Sequence, residues 1–78
     1  MALFYFHLCN GIDRLLDPEG QEVAEVVRIP DIALMEARAI ISHEALLGSV
    51  GMAQAIEVRD ASDAVVHRLE FRDAVMII

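Results

Sequence analysis

The chain has 78 residues, of which 56% are hydrophobic, and its 13 acidic side chains outnumber six arginines to give a net charge of −7. This charge pattern disfavours direct binding of nucleic acid. Phosphate backbones are bound by clustered cations, whereas these arginines are spread from Arg14 to Arg72 without a run. Cys9 is the single cysteine, which excludes an intramolecular disulfide. We expect one domain, residues 1–78.

Hydropathy gives no sign of a membrane segment. Stretches free of charged residues reach only 12 residues, as from Ala45 to Ile56, whereas a spanning helix needs about 20 apolar residues. The first residues lack the basic region of a secretory signal and run directly into a strand pattern. Together with one unpaired cysteine, these features predict a cytoplasmic location and no membrane partner.

The first predicted element is a β-hairpin. Residues 3–9 are aromatic-rich and strand-forming, and Asn10-Gly11 is the pair preferred in a two-residue type I′ turn. That turn would place His7 opposite Arg14 and Cys9 opposite Ile12.

The two faces of this hairpin differ in polarity. The face expected to be buried carries Phe4, Phe6, Leu8 and Leu15. The other is mixed, as in a surface that contacts a partner, and carries Tyr5, His7, Cys9, Ile12, Arg14 and Leu16.

A turn at residues 17–20 and a short edge strand at residues 23–29, stopped by Pro30, are expected next. A helix is predicted over residues 31–47, with Asp31 at its start and Gly48 just past its end. Its apolar residues form two patches on opposite flanks, so we expect the helix to have two neighbours. The patches are Leu34, Ala37, Ile41 and Ala45, and Ile32, Met35, Ala39 and Leu46.

The second half predicts another hairpin, with strands at residues 56–59 and 64–71 joined by a turn at 60–63. Its inner face would carry Ile56, Val58, Val65, His67, Leu69 and Phe71, and its outer face Glu57, Arg59, Arg68 and Glu70. The apolar tail, residues 74–78, should dock on this chain or on another. The expected fold is α+β, ββαββ-like: a small antiparallel sheet of two hairpins with one central helix packed on one face.

Five segments carry a family resemblance through their order and spacing: residues 5–8, 10–11, 17–20, 56–60 and 69–74. Over nearly its whole length the chain resembles a group of short uncharacterised bacterial proteins, a domain of unknown function common in rhizobia and their relatives. The resemblance implies a bacterial source and a compact α+β fold, and it implies no activity, cofactor or catalytic residue. Ile40-Ile41 and the tail are more apolar than is usual in that group.

The candidate metal ligands are His7, Cys9 and His67, since imidazole and thiolate suit zinc or copper. His7 and Cys9 share a strand face, but His67 falls on the core face, and Arg14 is expected opposite His7. We therefore expect no metal, His7 half-exposed and His67 hydrogen-bonded at the rim. Catalysis is not expected either, because Ser42, His43 and Glu44 are consecutive on a helix and point in different directions.

Two functions remain. The first is a noncatalytic, homo-oligomeric protein-interaction or accessory module, a dimer or larger, because a domain this small and this apolar is commonly stabilised by self-association. We expect the helix or the tail to form its interface, with the sheet face around Tyr5, His7 and Arg14 as the alternative interface. Another protein is expected as a further partner. The alternative is a small ligand- or metal-binding protein that uses the sheet face around Tyr5, His7 and Arg14.

Overall fold

The computed structural model describes residues 2–78, which form an antiparallel sheet with one α-helix on one of its faces. The strands are β1 (Ala2–Asn10), β2 (Asp13–Leu15), β3 (Gln21–Val23), β4 (Gln54–Asp60) and β5 (Val65–Glu70), and helix α1 is Ile29–Leu46. The strand order is β2-β1-β4-β5, and β3 pairs with β1 along the same edge as β2. The predicted α+β fold is confirmed. The sheet has five strands, one more than the four of the two predicted hairpins.

The register of the first hairpin differs from the prediction by two residues. Asn10 pairs with Asp13 and Cys9 with Arg14, so the loop is Gly11-Ile12 and the predicted pairs His7–Arg14 and Cys9–Ile12 are wrong. Asn10 also pairs with Gln54 of β4, which keeps it extended within the sheet. A shift of two residues leaves every side chain on its predicted face, because side chains alternate with a period of two.

The region before the helix also differs from the prediction. Instead of a strand over residues 23–29, β3 ends at Val23 and a short 3₁₀ helix, Val26–Arg28, leads into α1. Helix α1 begins two residues earlier than predicted, and Pro30 lies in its first turn. Proline is favoured there because the N–H groups of the first turn have no partner within the helix.

The end of the helix is as predicted. Gly48 has a φ of +94°, a left-handed conformation that glycine adopts at low energetic cost. Its N–H donates to the carbonyl of Ala45 at 3.0 Å, and the Ser49 N–H donates to the carbonyl of Glu44 at 3.2 Å. These two bonds form a Schellman motif, which satisfies the last carbonyl groups of the helix.

The core lies between α1 and one face of the sheet. The helix contributes Ile29, Ala33 and Ala37, and the small alanines let it approach the sheet closely. Within residues 2–78 the helix packs mainly against the sheet, and a neighbour on its second flank stays a prediction. Its second flank packs only in part, since Ile32 contacts the core but Met35 is exposed. The buried side chains of the sheet and of the 3₁₀ helix Phe71–Asp73 include Phe4, Phe6, Ile56, Val58 and Phe71.

A β-bulge changes the inner face of the second hairpin. Val58 pairs with His67, but the next pair is Arg59 with Val65, so the register slips by one residue. Val65 therefore lies on the side of Arg59, and the prediction that it shares the inner face with His67 is wrong.

Among residues 2–78, no helix is both long enough and apolar enough to cross a bilayer.

Candidate interaction surfaces

The sheet face opposite α1 carries a network of ion pairs centred on Glu57. Its carboxylate lies 2.7 Å from Arg59, 3.1 Å from Arg14 and 3.2 Å from Arg68. A hydrogen bond from Arg59, together with the charges of the three arginines, lowers the pKa of Glu57. The predicted outer face of the second hairpin, which carries Glu57, Arg59 and Arg68, is confirmed. Three of the six arginines of the chain pair there with the carboxylate of Glu57.

His7 lies on this face but is buried, so the prediction that it is half-exposed is wrong. Its Nδ1 accepts a hydrogen bond from the backbone N–H of Asp17 at 3.0 Å, which places the proton of the neutral ring on Nε2. The ring stacks on Tyr5, with the two centroids 6.3 Å apart. Loop 16–20, which connects β2 to β3, therefore covers His7, which leaves less of the Tyr5, His7 and Arg14 surface free for a ligand.

Asp17 fastens loop 16–20 to the middle of β1, where neither β2 nor β3 pairs. Its carboxylate accepts the N–H of Phe6 at 3.2 Å and the N–H of Gly20 at 3.1 Å. A side chain thus replaces the missing strand partner of Phe6. We refer to Asp17 and its bonds to Phe6, His7 and Gly20 as the Asp17 clip.

The three candidate metal ligands do not converge. His7 and Cys9 share the outer face and are both buried, whereas His67 pairs with Val58 on the core face. The Nε2 atom of His67 is buried without a hydrogen-bond partner among residues 2–78, so its expected role as a hydrogen-bonded rim residue is wrong. Within those same residues, no three His, Cys, Asp or Glu side chains are placed to hold a metal ion. That the chain binds no metal stays a prediction.

A groove of about 440 Å³ runs between loop 16–20, the adjacent sheet edge and α1. We call it the edge groove. Two carboxylates, Asp17 and Glu36, line it, and burial and the negative charge of Asp17 raise the pKa of Glu36. The apolar lining consists mainly of Phe6, Leu8, Leu15, Leu16, Ile40 and Ile56.

A second apolar region lies on the solvent side of α1 and on the tail. Met35 is 70% exposed and Leu46 84%, and Met76 of the tail is 85% exposed. The tail begins beside the middle of the helix, because Arg38 Nε donates to the carbonyl of Ala74 at 2.8 Å. We call this region the helix–tail surface. Its large exposed side chains are Met35, Leu46, Leu47, Met76, Ile77 and Ile78.

The total surface area is large for the size of the chain. The accessible area is 5371 Å², whereas the scaling law for monomeric proteins gives about 4,700 Å² at this mass. The excess of about 700 Å² is close to the ~800 Å² that each partner buries in an interface of standard size. The chain thus exposes about as much additional surface as one such interface would cover.

Sequence reasoning missed both the Asp17 clip and the edge groove. Asp at the first position of a turn commonly accepts hydrogen bonds from nearby N–H groups, so the bond to Gly20 could have been expected from the turn at 17–20. The bond to Phe6 could not, because it depends on where the loop crosses β1. Glu36 carried no signal beyond being an acidic residue on the helix.

Comparison with known proteins assigns the chain to a family. Neither a curated protein nor a solved structure matches the chain. A family model described as a domain of unknown function, DUF6894, matches residues 3–72. This match includes β1 from Leu3 onward, the whole of β2 to β5 and α1, and it agrees with the resemblance drawn from the sequence. The chain therefore belongs to the DUF6894 family.

Proposed function

We propose that the chain is a noncatalytic, cytoplasmic protein-interaction module that associates with itself through the helix–tail surface. The observation that carries this proposal is the exposure of Met35, Leu46 and Met76 on one helix and on the segment beside it. Burial of apolar area is the main driving force of association. A second copy supplies a partner of matching chemistry, because a two-fold interface uses the same patch on both subunits.

The excess surface supports the same proposal. An interface that covers about 700 Å² on each copy falls within the standard size range for specific complexes. It would place the tail in an apolar environment, and apolar patches of several hundred Å² on a protein surface commonly mark interaction sites.

The test is the mass in solution, measured by analytical ultracentrifugation at micromolar concentration. We expect a dimer or larger for the native chain and a monomer of 8.6 kDa for the double variant Met76→Asp, Ile78→Asp. The matched control is Ile12→Asp with Val65→Asp, which changes two exposed apolar side chains elsewhere and should leave the mass unchanged. Circular dichroism shows whether each variant is folded.

Two results would refute the proposal. A native chain that remains monomeric at these concentrations refutes self-association itself. A control variant that dissociates while the tail variant stays assembled places the interface at Ile12 or at Val65, which lie at opposite ends of the sheet, and refutes the helix–tail surface.

A further inference from the structure

We propose that the edge groove binds a short segment of a partner protein that carries a lysine or arginine beside apolar side chains. The site shares no residue with the helix–tail surface and goes beyond self-association. It would give the module a second, heterologous contact.

The shape and lining of the groove favour an extended apolar segment. Its volume of about 440 Å³ lies within the range of binding pockets, ~300–1,000 Å³. Phe6, Ile40 and Ile56 line it together with Leu15 and Leu16, which are 70% and 59% exposed. A bound apolar side chain would remove these two leucines from water without any rearrangement of the core.

The charge of the groove favours a cation beside the apolar group. Its charged side chains within residues 2–78 are Asp17 and Glu36, both acidic, and its lining includes no arginine. Asp17 already accepts two backbone N–H groups. Glu36 has neither a hydrogen bond nor an ion pair within the described residues, and its raised pKa reflects burial and the facing carboxylate of Asp17. Glu36 is therefore the group that an incoming ammonium or guanidinium would pair with.

The arginines of the chain favour a different protein as this partner. Arg14, Arg59 and Arg68 are held in the ion-pair network on the outer face, and so are not free to enter an acidic groove of another copy. Arg28 pairs with Asp31, Arg38 donates to the carbonyl of Ala74, and the exposed Arg72 is followed by the acidic Asp73. A basic segment from another protein therefore fits the acidic groove better than a segment of a second copy.

The test is an NMR titration with two capped peptides, acetyl-Leu-Lys-Leu-amide and acetyl-Leu-Glu-Leu-amide. We expect the lysine peptide to shift the amide resonances of Gly20, Gln21 and Ile40, and to bind at least roughly fivefold more tightly than the glutamate peptide. Glu36→Gln should weaken binding of the lysine peptide by a similar factor. This variant should fold, because it removes a partly buried charge without changing the shape of the side chain.

The matched control is Glu25→Gln, which makes the same change of charge at an exposed site outside the groove. It should leave binding of the lysine peptide unchanged. Equal binding of the two peptides, or loss of binding in Glu25→Gln to the same degree as in Glu36→Gln, would overturn the proposal. So would groove resonances that shift with protein concentration alone, since a second copy would then occupy the site.

Discussion

The Asp17 clip makes a quantitative prediction about stability. Asp17→Ala removes the acceptor for the N–H groups of Phe6 and Gly20, at 3.2 and 3.1 Å. Hydrogen bonds to a charged group contribute about 1.5–3 kcal/mol each, and the lower end applies here because the loop is only partly buried. The expected loss is therefore about 3 kcal/mol. A domain of this length has roughly 4–12 kcal/mol of stability in total, so the variant would lose a large share of it.

Asp17→Asn tests the hydrogen bonds to Phe6 and Gly20 without shortening the side chain. The amide keeps one oxygen acceptor and turns an NH₂ group towards one of the two donors, so about half of the loss should return. Glu19→Ala is the matched control in the same loop, because Glu19 is exposed, and it should change the stability by less than about 0.5 kcal/mol.

Urea unfolding followed by circular dichroism gives the free energies, and amide hydrogen exchange gives the location of the effect. Exchange of the Phe6 amide should accelerate in Asp17→Ala more than exchange of the Val58 amide, which lies in the centre of the sheet. A loss below about 0.5 kcal/mol with an unchanged rate at Phe6 would show that the carboxylate does not serve as the partner of that strand.

Three further predictions concern single side chains, and urea unfolding checks each of them. Glu57→Gln should lower stability by about 1 kcal/mol at pH 7. The hydrogen bond and charges of the arginines lower the pKa of Glu57 below its ordinary value of 4.5, so this deficit should be complete above pH 4.5 and shrink as the pH falls through the lowered pKa. Glu36→Gln should raise stability at pH 7 by on the order of 0.5 kcal/mol. Burial and the charge of Asp17 raise the pKa of Glu36 in the folded chain, so the gain should vanish below pH 4.5, where the carboxyl is protonated in both the folded and the unfolded state. Gly48→Ala should cost about 1 kcal/mol through its φ of +94° alone, because no atom lies within 4 Å of the added Cβ.

Local patterns predicted the parts of this fold that local physics determines. Alternation placed Phe4, Phe6, Ile56 and Val58 on the core face, and a glycine after an apolar periodic run marked the end of the helix at Gly48. These signals depend only on the period of side chains along a strand and on the conformation of one residue.

The errors arose where distant parts of the chain decide the outcome. Asn10-Gly11 is a strong turn signal by itself, but Asn10 is held extended by its pairing with Gln54, 44 positions along the chain. Pro30 by itself predicts the end of a strand, although the same ring fits the first turn of a helix. The burial of His7 depends on loop 16–20 folding back over β1, and no periodicity within either segment encodes that contact.

The two edges of the sheet also bear on how the module associates. On the β1 side, the edge consists of the short strands β2 and β3, and the Asp17 clip lies between them. This edge therefore lacks a continuous row of free backbone N–H and C=O groups. On the other side, β5 pairs with β4 alone among residues 2–78, and its charged side chains Arg68 and Glu70 oppose edge-to-edge pairing in the way that natural sheets commonly do. Edge pairing is therefore disfavoured on both sides. Eight of the 14 large exposed apolar side chains of residues 2–78 lie on the helix–tail surface or along the edge groove, where side-chain packing rather than backbone pairing would form the contact.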